Sequence, residues 1–150
     1  MTDILIICAN MLLAVFLGGI IGIERESLGK PAGSRTYALI ALGSALFTSL
    51  SIQSFGQFAN ADPGRLAGQI ITGIGFIGAG MIIYHKEHVQ GITSASALWA
   101  TAAVGMAVGL GEYIIAIFTT IVIFILLDVV RRFEFHKHKK KTLWDFFKRM

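Results

Sequence analysis

The chain has 150 residues, 55% of them hydrophobic and 15% charged, with a formal net charge of +4 and one cysteine. The apolar residues gather in runs of about twenty without a charge, which makes this an integral membrane protein, and no second folded domain is expected in the length that remains. A lone cysteine, Cys8, excludes an internal disulfide and reads as a small apolar packing residue.

The first predicted span covers 4–23. The opening Met1, Thr2 and Asp3 supply no basic n-region and no small-residue cleavage site follows, so the span is expected to be retained rather than removed as a signal peptide. Asn10 is its polar residue, and Gly18 and Gly22 stand four apart. A charged loop, 24–36, follows with Glu24, Arg25, Glu26, Lys30 and Arg35. The second span is 37–55, and Asp62 and Arg65 occupy the loop beyond it.

The third span, 66–84, holds Gln69 and then the densest small-residue patch, from Thr72 through Gly73, Gly75, Gly78 and Ala79 to Gly80. The spacing of Gly73, Gly75 and Gly78 imitates a dinucleotide fingerprint, but no strand precedes it and no acidic residue follows about 20 positions on. A potassium-filter reading fails because a filter is a short pore loop, whereas these glycines lie within a complete apolar span. They are expected to serve close helix contact.

After a loop at 85–92 the fourth span, 93–110, carries Thr93, Ala97, Thr101, Gly105 and Gly109 as an unbroken stripe at intervals of four. The chain is expected to turn tightly between Gly109 and Tyr113, because one helix through both flanking segments would far exceed the hydrocarbon thickness. The fifth span, 113–130, is bulky nearly all round and ends near Asp128, the one charge within the five spans. Spans three and four are therefore predicted to be central and span five to face lipid. The fold class predicted is all-α, a polytopic membrane bundle of about five helices over 1–130, followed by a basic aromatic tail at 131–150.

Charge placement supports an odd number of spans. With five, every Lys and Arg except Arg65 falls on one side, and the positive-inside rule places the N-terminus outside and the tail in the cytoplasm of a bacterial inner membrane. In the tail, His136 to Lys141 is a basic run, and Leu143, Trp144, Phe146 and Phe147 interleave with Lys148 and Arg149. That pattern fits a segment on anionic lipid headgroups better than a nucleic-acid partner, since it directly follows a membrane span.

Several segments then carry a resemblance. Gly22-Ile23-Glu24-Arg25-Glu26, Lys30-Pro31-Ala32-Gly33-Ser34-Arg35-Thr36, Asp62-Pro63-Gly64-Arg65, the run from Gln69 to Gly80 and the run from Gly91 to Ala102 resemble, in order and spacing, the MgtC/SapB family of bacterial inner-membrane proteins. The resemblance covers roughly the first 125 residues. It implies a compact multi-span domain and a link to growth under magnesium limitation. Members of the MgtC type carry a soluble C-terminal domain, where a short basic tail is expected for this chain.

The polar residues fall into two expected layers. Near the outer surface are Asn10, Ser51 and Gln69, with Asp62 and Arg65 at the mouth; they read either as interhelical hydrogen bonds or as a ligand path. Near the cytoplasmic surface are Glu24, Arg25, Glu26, Arg35, Thr36, Thr93, Ser94 and Asp128, which read as ion pairs locking helix ends or, through Glu24 and Asp128, as oxygen ligands for hydrated magnesium. No Ser/His/Asp set, HExxH or carboxylate pair at the membrane centre is present, so no enzyme and no cofactor are predicted. Two functions remain: a regulator acting on another membrane complex, with self-association open, or a magnesium transporter or channel. The lack of charge at the bilayer centre favours the first.

Overall fold

Each helix boundary follows from a local chemical signal. Helix α1 runs over Thr2–Ser27 and stops where Gly29 adopts φ 63°; Gly29 N–H donates to the Glu26 carbonyl at 2.9 Å and Lys30 N–H to the Arg25 carbonyl at 3.1 Å. This paired closure about a left-handed glycine is the Schellman motif. Helix α2, Ser34–Phe55, starts at Ser34, whose N–H and Oγ donate to Glu26 Oε2 at 3.0 and 2.5 Å. A carboxylate from the preceding helix thus meets the positive end of α2.

The computed structural model describes residues 2–55, 62, 64–85 and 88–128. Helix α3, Gly64–Gly80, is opened by Asp62, whose Oδ1 accepts the Gly64 N–H at 2.8 Å. The helix ends at Gly80 rather than running to Tyr84 as expected, and an antiparallel hairpin takes up the end of the predicted span and the predicted loop: β1, Ile83–His85, pairs with β2, His88–Gln90, with Tyr84 opposite Val89. Helix α4, Ile92–Gly109, is preceded by Gly91 at φ 93° and closed by a second Schellman motif, in which Gly111 N–H reaches Val108 and Glu112 N–H reaches Ala107. The last helix, α5, occupies Tyr113–Asp128, so the chain turns at the predicted place.

Ile4–Ser27, Ser34–Gln53 and Ile92–Gly109 are long and apolar enough to cross a membrane, while α3 and α5 are shorter. Leu12, Phe16, Phe76, Ile114 and Phe118 are all more than 60% exposed, an outer surface suited to lipid rather than water. The protein is an all-α membrane helix bundle with one small hairpin. The tail at 131–150 lies outside the described residues.

The core is built on α2, which is gripped from two sides. On one side Gly18 and Gly22 of α1 lie so close that a Cβ on Gly18 would meet the Tyr37 carbonyl at 2.6 Å, and one on Gly22 the Ser34 Cα at 2.5 Å. On the other side Gly105 of α4 abuts the Ala41 backbone, and a Cβ on Gly109 would meet the Ala45 carbonyl at 2.6 Å. Any side chain at these four positions drives the helices apart, so glycine is what permits the contact. Around this contact Ile21, Tyr37, Leu98, Val104 and Val108 are fully buried.

This arrangement corrects the predicted centre of the bundle. Helices α1, α2 and α4 form it, whereas α3 packs on α4 through Ile70, Ile74 and Gly78, with Gly78 against Ala95. Gly73, Gly75 and Gly80 were expected to pack helices, yet they point outward, and a Cβ added at any of them would meet no described residue within 4 Å. The reason is angular: the Ile70, Ile74 and Gly78 face meets α4, and at about 100° per residue these three glycines fall away from it. Thr101 is fully buried, but its hydroxyl bonds within α4, to the Ala97 carbonyl at 2.8 Å. On α5, Ala116, Thr120, Ile123 and Leu127 are buried along one face and the remainder looks outward.

Candidate functional site: a buried charged cluster

At one end of the bundle the last turn of α1 meets the first turns of α2 and α4. Glu24 and Arg25 are both buried there, 6% and 4% exposed, and their side chains pair at 3.2 Å through Arg25 Nη1 and Glu24 Oε2. Arg25 Nη2 donates to Ser94 Oγ at 3.2 Å, and Tyr37 OH donates to the Ser94 carbonyl at 3.0 Å. Three helices are thereby joined by one guanidinium and one phenol. Arg25 supplies the forked donors of this junction, Nη1 to Glu24 and Nη2 to Ser94.

Two adjacent residues of a helix diverge by about 100°, so burying both requires neighbours on two sides. Here α2 and α4 provide them, held close by Gly22 and by the small residues at the start of α4. Taking the pair out of water costs several kcal/mol per ion, which mutual attraction and the bond to Ser94 offset. Charge in this cluster therefore depends on the three-helix contact.

The other residues singled out by sequence divide clearly. Asn10 is buried at the opposite end, where its Oδ1 accepts the Tyr113 OH at 2.9 Å, and Ser51 is buried too. Gln69, the third member of the expected layer, is exposed. Arg35, Asp62 and Arg65 are exposed, and Asp62 caps α3. Asp128 is half-buried at the end of α5. Among the described residues no group of three or more His, Cys, Asp or Glu is placed to hold a metal ion.

Sequence reasoning passes over Tyr37, and a signal existed: a tyrosine near the start of an apolar span needs a partner for its hydroxyl once buried. Ser49 is also new, donating to the Gly109 carbonyl at 3.2 Å and so joining α2 to α4. Two apolar clefts open on the surface. One, of about 400 Å³, separates α1 from α5 beside Phe16, Ile20 and Phe124; the other, of about 260 Å³, lies beside Trp99, Met106 and Ile115.

Comparison with known proteins identifies the group. The MgtC family model matches residues 11–136. The chain is 39% identical over 136 residues to "Putative magnesium transporter YhiD" of Escherichia coli K12, covering 87% of this chain and 63% of that protein. An uncharacterized Haemophilus influenzae protein is 40% identical over 149 residues, covering 93% and 63%, and Protein MgtC of Salmonella typhimurium is 42% identical over 114 residues, covering 76% and 48%. The chain thus spans between about half and just under two thirds of the length of these relatives. No solved structure matches it. With the family model covering most of its length and relatives near 40% identity, the chain belongs to the MgtC family.

Proposed function

We propose that this protein is a non-enzymatic regulator of membrane ion homeostasis, linked to adaptation to magnesium limitation. It is a multi-pass protein of the bacterial inner membrane, its N-terminus outside and its C-terminus in the cytoplasm, and it acts by contact with another membrane complex. The basic tail adds affinity for anionic headgroups from the cytoplasmic side.

The observation that carries this reading is the closed centre of the bundle. The backbones of α1, α2 and α4 touch through Gly18, Gly105 and Ala41, and the buried charged side chains among the described residues, Glu24 and Arg25, sit together at one end. An ion path through a membrane is commonly marked by charge near its centre. The name of the Escherichia coli relative supports the second reading, a magnesium transporter.

Reconstitution of the purified full chain into liposomes holding a fluorescent magnesium indicator separates the two. A regulator gives magnesium entry equal to that of protein-free liposomes. Saturable entry that scales with the amount of protein would establish the transporter instead.

A further inference from the structure

We propose that the β1–β2 hairpin is an interfacial anchor, lying in the phospholipid headgroup layer with Tyr84 and Val89 turned toward the acyl chains. This inference rests on the reading of the bundle as membrane-spanning and adds a lipid-contacting surface to it.

Three physical arguments converge on that position. The first is length: α3 has 17 residues, about 25 Å at 1.5 Å per residue, whereas the hydrocarbon layer is about 30 Å thick. The residues after Gly80 must therefore still lie at the membrane boundary. Second, these residues are apolar and outward-facing: Ile82, Ile83, Tyr84, Val89 and Ile92 are all exposed, from 44% to 71%. Bulk water is a poor place for five such side chains within eleven positions. The third argument sets the opposite limit. A two-stranded hairpin has two open edges, and their backbone N–H and C=O groups find no partner in hydrocarbon. The headgroup layer alone offers water to the edges and acyl chains to the side chains, and it is where tyrosine collects.

The register supplies a lipid face. Tyr84 and Val89 are directly opposite one another and share one side, while Ile83 and Gln90 pair on the other side, where His88 also lies. The mount is stiff. Gly91, at φ 93°, brings its Cα against the Met81 carbonyl so closely that a Cβ would overlap it, which closes the base of the hairpin. Ser94, one turn into α4, holds Arg25, so the anchor is fixed to the element that completes the charged cluster.

Bromolipid quenching in the full chain tests this. With Trp99→Phe and Trp144→Phe as background, a single tryptophan is introduced by Tyr84→Trp, Val89→Trp, His88→Trp or Phe118→Trp, and each protein is reconstituted in vesicles of phosphatidylcholine and phosphatidylglycerol. Expected for Tyr84→Trp and Val89→Trp is several-fold stronger quenching by lipids brominated near the headgroup than by those brominated near the chain end, with protection from acrylamide. His88→Trp is expected to show the reverse, weak bromolipid quenching and ready access to acrylamide. Phe118→Trp, on the outer face of α5, reports whether the bundle itself is immersed, through quenching by deeply brominated lipid. Deep quenching at Phe118→Trp with none at Tyr84→Trp and Val89→Trp would overturn the anchor alone, whether water or a protein covers the hairpin. Loss of quenching at all four positions would overturn the membrane-spanning reading with it.

Discussion

Helices α3 and α4 follow one another in the chain, and by glycine content α3 is the better candidate for tight packing. Its 17 residues include six glycines, against two in the 18 residues of α4. Yet both α4 glycines, Gly105 and Gly109, press on the backbone of α2, while Gly68, Gly73, Gly75 and Gly80 of α3 meet no described neighbour. A small residue permits close approach of two helices. Whether the approach occurs depends on which way that residue faces, and on a partner whose own surface is equally small, as Ala41 and Ala45 of α2 are.

The largest effect that sharpens this contrast is expected at the charged cluster, which exists only because α1, α2 and α4 converge. Arg25→Ala leaves a buried carboxylate without its guanidinium and should cost about 3–5 kcal/mol, read as a lowered melting temperature of the detergent-solubilised protein. Arg35→Ala, at an exposed position, is expected to stay within about 0.5 kcal/mol of the parent. Equal melting temperatures for the two variants would show that the cluster does not depend on burial.

The next effect concerns overpacking. Gly105→Leu should destabilise by about 3 kcal/mol because the Ala41 backbone cannot yield, whereas Gly75→Leu, pointing outward, should be neutral or slightly stabilising. A clear loss of stability in the Gly75→Leu protein would place a partner surface on α3.

Much of the architecture is legible in the sequence, for reasons that also explain what is not. Charge-free runs and the turn at Gly109 to Tyr113 are set by hydrocarbon thickness and by Gly111, so the five helical segments could be marked out directly. Of the stripe through Thr93, Ala97, Thr101, Gly105 and Gly109, the last four are buried and mark a packing face of α4, with Gly105 and Gly109 against α2, whereas Thr93 is exposed. Lipid and protein interior are both apolar, so the hydrophobic pattern that orients a helix in water carries no such information for α3. Glu24 and Arg25 could be recognised as interfacial charges. Their burial could not, since it depends on Ser94, 69 positions further along the chain than Arg25.

A smaller effect is expected where α5 joins the core. Tyr113→Phe removes the hydrogen bond to Asn10 and should cost about 0.6 kcal/mol, a typical value for one interhelical contact of this kind. Chemical denaturation monitored by circular dichroism in detergent can resolve it against Tyr84→Phe, which should show no change. A loss approaching that of Gly105→Leu would mean that α5 belongs to the core as firmly as α1 does.

The claim that α2 is clamped by α1 and α4 is tested most directly with the smallest possible side chain. Gly105→Ala and Gly75→Ala add the same methyl group to a helix interior, where alanine is intrinsically favoured over glycine by about 1 kcal/mol. Measured side by side as melting temperatures in one detergent, Gly105→Ala should fall below the parent and Gly75→Ala should equal or exceed it. A Gly105→Ala protein as stable as Gly75→Ala would contradict the clamp.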